Sequence, residues 1–246
     1  TTSLAGYLKG SSTSNLVIAG TGGSSPTIRF NPSTTDTLLN TLTINRTGGG
    51  AGVTLATGVA ITNLLNITNG DLNLNGNKLT LKSTSITNTA RVGQVSGTIS
   101  YGSGGAFVVE RYIPKTGNGI RAYRDIAPSV NSGSGTIFAN WQESGGTGLQ
   151  GSTYYGTHIS GVAGASPGGV DATTGLDLTA SGAKSLYSFD VSTSTGDGAW
   201  NTGATSTKGT NDTLSAFKGY RILIRGDRRV NLYTAPSPAN SMNAAA

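Results

Sequence analysis

The chain has no cysteine, one histidine (His158), one methionine (Met242) and two glutamates (Glu110 and Glu143) in 246 residues, and 11% of its side chains are charged. Each shortage removes a class of chemistry. Without cysteine there is no disulfide, thiolate metal cluster or thiol nucleophile, so burial and strand pairing must hold the fold; redox compartment stays open. A single histidine among few carboxylates leaves little for proton transfer or for binding zinc, iron or copper. The composition therefore points to a scaffold and away from an enzyme. No apolar run approaches the roughly 18 residues of a membrane-spanning helix, so no membrane insertion is expected. No long window places apolar residues at i, i+3, i+4 and i+7, so almost no helix is expected. Lys and Arg (17) exceed Asp and Glu (11), giving +6 at pH 7, a field that could attract anions. These charges are scattered without a basic tract, and no nucleic-acid partner is expected. No charged and apolar leader opens the sequence, which suits a mature form or a fragment of something longer.

What is abundant is glycine, 38 residues, placed as punctuation between short Val/Ile/Leu/Tyr runs without a collagen period. Apolar residues come in pairs one residue apart: Leu16 and Ile18, Ile28 and Phe30, Leu42 and Ile44, Val53 and Leu55, Val59 and Ile61, Leu65 and Ile67, Leu72 and Leu74, Leu79 and Leu81. Period-two spacing puts each pair on one face of a strand. From Val59 to Leu81 the pairs recur every six or seven residues, which suits either a stacked β-solenoid or a meander. Asn69-Gly70 and Asn75-Gly76-Asn77 fit corners, where Asn and Gly tolerate positive φ.

The character changes near residue 100. Fourteen of the sixteen aromatic residues lie from Tyr101 onward, and longer strands are expected at Phe107–Ile113, Ile120–Ala127, Ile137–Trp141, Leu186–Val191, Tyr220–Arg225 and Arg229–Tyr233. The last two flank Gly226-Asp227 as a hairpin, with Ile222 and Ile224 facing Val230 and Leu232. The expected fold class is all-β. Residues 1–97 form a short-strand β-solenoid-like or meander region, 98–233 an antiparallel, aromatic-rich β-sandwich, and 234–246 a linker or tail.

Several motifs resemble sites. Gly164-Ala-Ser166-Pro-Gly168 matches the hydrolase pattern G-x-S-x-G, but Pro167 has no N–H for an oxyanion, His158 precedes the serine, and no apolar strand is expected to lead into the turn. A surface loop explains the same residues. Gly146-Thr-Gly148-Leu-Gln-Gly151 matches G-x-G-x-x-G without the helix that would give it a dinucleotide role. Arg225-Gly226-Asp227 matches an integrin-binding tripeptide, which a hairpin turn explains equally well. Glu110 and Asp125 lie beside arginines, which favours ion pairs over a glycosidase acid. Asp171 with Asp177, and Asp190 with Asp197, could offer oxygen to calcium, although no complete calcium loop is present. Tyr154, Tyr155 and Trp200 could form a glycan platform. Aromatics in a sandwich usually belong to the core, but neighbours in a strand face opposite ways, so one of the two tyrosines must look outward.

The series Gly70-Asp-Leu-Asn-Leu-Asn-Gly-Asn-Lys-Leu-Thr-Leu81, Ala90-Arg-Val-Gly93, Val109-Glu-Arg-Tyr-Ile-Pro114, Arg121-Ala-Tyr-Arg-Asp-Ile-Ala-Pro128, Ile137-Phe-Ala-Asn-Trp-Gln-Glu143 and Gly219-Tyr-Arg-Ile-Leu-Ile-Arg-Gly-Asp-Arg228 resembles the repeat regions of large secreted surface proteins of Bacteroidetes. These are cargo of the type IX secretion system that ends in a sorting domain. The likeness runs from about residue 40 to 233, and no sorting domain is visible, which suits a segment or processed subunit. It implies an extracellular, cell-surface place and an adhesive or structural role, and it carries over no catalytic residue.

The expected function is therefore a non-catalytic building block of a bacterial surface structure, an adhesin repeat or fibre subunit. It would associate with itself or with neighbouring repeats through open strand edges. The segment from Leu4 to Leu8 or the strand near Leu16 could be the donated strand. A carbohydrate-binding module is the alternative, and a glycoside-active β-helix enzyme has few carboxylates to work with. The resemblance also implies O-glycosylation at Asp-Thr followed by an apolar residue, hence at Thr37 (Asp36-Thr37-Leu38) and Thr213 (Asp212-Thr213-Leu214). Native material should exceed the polypeptide mass by sugar located on these two threonines; an intact mass equal to that of the bare chain would remove the expectation.

Overall fold

A computed structural model describes residues 6–113, 122–130, 136–142, 157–164, 170–189, 192, 200–201 and 213–224. The chain divides into two compact units, Thr1–Tyr112 and Ile113–Ala246.

The first unit is a parallel β-solenoid. Its strands are β1 (Asn15–Thr21), β2 (Thr27–Ile28), β3 (Leu38–Thr47), β4 (Gly52–Leu55), β5 (Val59–Asn69), β6 (Asp71–Asn73), β7 (Lys78–Leu81), β8 (Arg91–Val95), β9 (Ile99–Ser100) and β10 (Ala106–Val109). They stack into two sheets. One runs β1-β3-β5-β7-β10 with β8 also on β5, and the other runs β2-β4-β6-β9. Every pairing in both is parallel. Successive coils lie 19 residues apart where Gly52 pairs with Asp71 and 28 apart where Lys78 pairs with Ala106, the period of a repeat architecture.

The apolar pairs explain the stacking. Leu42 and Ile44, Val53 and Leu55, Val59 and Ile61, Leu65 and Ile67, Leu72 and Leu74, and Leu79 and Leu81 are all at most 3% exposed. Pairing puts like on like: Leu16, Leu42, Leu65 and Val92 form one column, and Ile18, Ile44, Ile67 and Val95 another. One coil contributes too little apolar surface to form a core alone; the columns bury it against the coils above and below. At the corner after β6, Asn75 (φ 49°) and Gly76 (φ 79°) adopt the left-handed conformation, as their sequence predicts. A β-carbon on Gly76 would also lie 2.7 Å from the Ser103 carbonyl oxygen of the next coil, so glycine is required there twice over. Amide side chains tie coils together outside the core. Asn40 donates to Asn15 (2.9 Å), Asn69 to Asn45 (2.7 Å) and Asn77 to the Leu55 carbonyl (3.1 Å).

Strands β9 and β10 lie beyond the 97/98 boundary expected from sequence, yet they pair with β6 and β7. The strand expected at Phe107–Ile113 therefore contributes β10 to the solenoid. The Lys82 ammonium, 2.6 Å from Glu110 Oε1, and the Ser83 N–H donating to Glu110 Oε2 (3.1 Å) fasten this last strand to the coil before it.

The second unit holds a separate antiparallel sheet in the order β11 (Ala122–Ile126), β16 (Tyr220–Ile224), β14 (Leu186–Phe189), β15 (Trp200–Asn201), together with a parallel pair, β12 (Ser160–Ala163) and β13 (Asp177–Thr179). Its described core is mainly aliphatic: Ile137, Ile159, Leu176, Leu186, Ile222 and Ile224 surround Tyr220, with Trp141 packed against them. Tyr123 and Tyr187 instead meet edge to face, centroids 6.1 Å apart, and both Tyr123 and Phe217 are exposed.

Two expectations change here. Ile137–Trp141 is a helix, α1, and not a strand. Thr136 caps it by accepting from the Ala139 N–H (3.1 Å), and Gln142 N–H closes it on the Phe138 carbonyl. Ile137 and Trp141 share the core-facing side in either conformation, because residues four apart align on a helix and on a strand alike; the cap decides between them. In the expected terminal hairpin, the positions beside Ile222 are held by Arg124 of β11 and Leu186 of β14. The turn at Gly226-Asp227 and the arm Arg229–Tyr233 lie outside the described residues.

Replacing Leu65, the centre of a buried column, with alanine should cost about 3 kcal/mol, whereas Val17→Ala on the exposed edge strand should stay within about 0.5 kcal/mol. Urea unfolding followed by far-ultraviolet circular dichroism measures both; equal losses would contradict the columns as the source of stability.

Candidate functional site

Two places in the molecule concentrate features beyond plain packing. The first is the pair of solenoid ends. Strand β1 is the edge of its sheet at one end; β8 and β10 are sheet edges at the other. The sequence of β1, Asn-Leu-Val-Ile-Ala-Gly-Thr, has no charge and no proline, and its pairing with β3 contains no bulge. Natural edges usually carry such guards against strand addition. The columns that are fully buried in the middle emerge at the ends. Leu16 and Ile18 are only partly covered, and all five residues of β8 are exposed.

The second place is a buried polar group in the second unit. Asp177, 6% exposed, accepts from the Ile159 N–H (3.0 Å) and from Gln142 Nε2 (3.1 Å), and its Oδ2 lies 3.4 Å from Nδ1 of the buried His158. Gln142 Nε2 also reaches the Thr157 carbonyl (3.3 Å). Three separated segments, the end of α1, residues 157–160 and β13, are thus fixed to one carboxylate. An imidazole beside a carboxylate is also how hydrolases orient a base. Here the adjacent Ser160 hydroxyl donates to the Ala183 carbonyl (2.8 Å), and the Ser185 hydroxyl accepts from the Ser160 N–H (2.8 Å). These hydroxyls are engaged in joining β12 to the chain before β14. A buried charge fastened this way orders its surroundings, and it loses that order if one partner is removed.

The residues singled out from sequence scatter around these places. Asp171 and Asp177 flank one loop but turn apart. Asp171 Oδ2 accepts from the Thr174 N–H (2.7 Å) and hydroxyl (2.6 Å), which hold its carboxyl below the usual range, while Asp177 faces His158. Among the described residues no three metal-ligating side chains of the His, Cys, Asp or Glu type converge. Asp190, Asp197, Ser166, Tyr154 and Tyr155 lie outside the described residues, as does the side chain of Trp200. Strand β12 (Ser160-Gly-Val-Ala163) ends just before Gly164; it is half Ser and Gly, and so is not the apolar strand a nucleophile elbow needs. Thr213 is exposed, whereas Thr37 is half-buried and donates its hydroxyl to the Ser33 carbonyl (3.0 Å). No helix among the described residues is long and apolar enough to cross a membrane.

Both carboxylates have a described ion-pair partner on another strand, away from their arginine neighbours in sequence. Glu110 pairs with Lys82. Asp125 is gripped by Arg221 from the directly opposed position of β16, through Nε to Oδ1 (2.8 Å) and Nη2 to Oδ2 (3.0 Å). Neither pair was legible from sequence, because both join residues brought together only by strand register.

No protein-family model matches the chain, and no curated protein or solved structure resembles it significantly.

The Arg221 hydrogen bonds, aided by its charge, hold the Asp125 carboxyl below its ordinary range. The folded state then binds fewer protons than the unfolded one, so the pair's contribution is complete above the ordinary aspartate range near pH 4 and disappears as pH falls through the lowered value. Solvent screening keeps that contribution under about 1 kcal/mol. Asp125→Asn should therefore be slightly less stable than the parent at about pH 7 and converge on it as the pH falls below the ordinary aspartate range. Paired urea titrations test this; a gap that is constant or widens toward acid would contradict it.

Proposed function

We propose that this chain is a structural, non-catalytic building block of a bacterial extracellular surface structure, a repeat of a long adhesin or a subunit of a fibre, that assembles through β-strand contacts. The observation that carries the reading is the pair of solenoid ends, where among the described residues a parallel sheet stops with its apolar columns half covered and, at β1, without a charge, proline or bulge on the edge. Parallel sheets are normally buried on both faces and continued or closed at their edges. A module of this kind gains stability from each coil added to it. The likeness to secreted surface repeats of Bacteroidetes adds the cell surface as its place. The exposed Thr213 suits glycan addition better than Thr37, whose hydroxyl is already engaged.

The described chemistry fits this role. In the second unit the buried histidine, carboxylate and glutamine are bound into the fold, and the carboxylates of Glu110 and Asp125 hold neighbouring strands together. Purified protein examined by negative-stain electron microscopy at rising concentration should form rods or fibres. Isolated particles at every concentration, with a sedimentation coefficient that does not change, would defeat the reading.

A further inference from the structure

Among the described residues, large exposed apolar side chains of the solenoid are confined almost entirely to its two ends. Tyr7, Leu8 and Val17 stand on the first coil and Val92, Val95 and Tyr101 on the last, each 41 to 62% exposed; Ile86, in the loop between β7 and β8, is the exception among the large ones. Both ends belong to the same parallel stacks. Leu8 pairs with Phe30 beside β2, at the head of the sheet that finishes with β9 next to Tyr101. The column that begins with Ile18 finishes with Val95. Among the described residues each end lacks one more coil of the same direction, and the opposite end of an identical molecule presents it.

We propose that the two ends are complementary docking surfaces for a second copy of this chain, the Tyr7/Leu8/Val17 end of one molecule seating on the Val92/Val95/Tyr101 end of the next. This deepens the scaffold reading and rests on it. The contact is heterologous, with different patches meeting, so it repeats without closing and generates a line of subunits. The uncharged β1 edge sets no electrostatic barrier to it. The direction of the strands favours this arrangement over end-to-end pairing of like ends, because only head-to-tail stacking keeps every strand parallel and carries the columns across the junction in the same sense.

Two exposed substitutions test it without disturbing the core. Val17→Lys should abolish docking at the first end and Val95→Lys at the last, each raising the concentration needed for assembly by at least about tenfold. Mixing the two variants should restore dimers and nothing longer, because each retains one sound end. Light scattering reads all three. A cysteine pair gives an independent measure in a chain that has none: Leu8 and Tyr101 stand about four strand spacings apart within one molecule, on the order of 19 Å, beyond disulfide reach. Oxidised L8C/Y101C should therefore run as a ladder of multimers, while L8C and Y101C alone stay monomeric.

Dimers of L8C alone, or assembly blocked by Val17→Lys but untouched by Val95→Lys, would mean like ends meet and would overturn the proposal. Fibres that form normally in both lysine variants and do not cross-link would overturn this contact while leaving the scaffold reading intact. A parent protein that never assembles would remove both.

Discussion

The structure of the first unit depends on the stacking of like residues in columns perpendicular to the strands. Even the coil from Val59 to Leu74, with six buried aliphatic side chains, presents them along a layer only one strand thick, which cannot exclude water alone. Leucine on leucine and isoleucine on isoleucine, repeated through β1, β3 and β5 and finished by valines in β8, turn these small contributions into a continuous core. The same constraint accounts for the composition. A coil of about twenty residues must turn sharply several times, and those turns consume glycine and asparagine. Long side chains, charge and helix formers have little place in it. The chemical poverty of the sequence is thus a consequence of its architecture.

A stack of this kind has no natural end. Interior coils are satisfied on both sides, while the first and last leave half-covered apolar residues and unpaired strand edges. The molecule guards its last coil with Arg91, a register shift between β5 and β8, and the Lys82–Glu110 clamp, and leaves β1 without a comparable device. The second unit is held differently, by an antiparallel sheet, a small aliphatic core and a carboxylate buried among three chain segments. Its polar interior fixes geometry where the solenoid relies on repetition.

Much of the solenoid is legible in the sequence because its signal is local. The pairs from Leu42–Ile44 to Leu79–Leu81 identify themselves by alternation, and Asn75-Gly76 identifies its corner. The choice between solenoid and meander is not legible, since period-two alternation is the same whether the neighbouring strand runs parallel or antiparallel. Coil lengths that vary with the loop between β7 and β8 hide the register. Aromatic enrichment suggests a boundary near residue 97, but β10 belongs where its register with β7 puts it. Helix α1 is misread because Ile137 and Trp141 satisfy both periods. The Asp177–His158 contact is hidden for a related reason: alternation around Leu176 and Leu178 turns Asp177 outward, whereas the fold buries Asp177 and Thr179 and leaves Leu178 partly exposed. The candidate docking ends could be found only in part, through the uncharged run of β1, because which strands remain unpaired is a property of the whole stack.

X-ray diffraction from aligned, concentrated material tests the central claim most directly. If coils continue from one molecule into the next, the strand spacing of roughly 4.8 Å must appear as a reflection along the fibre axis, sharpened beyond what the short stack of a single molecule would give. Material whose strand reflection lies across the axis, or shows no orientation while the fibres themselves are aligned, would contradict the account.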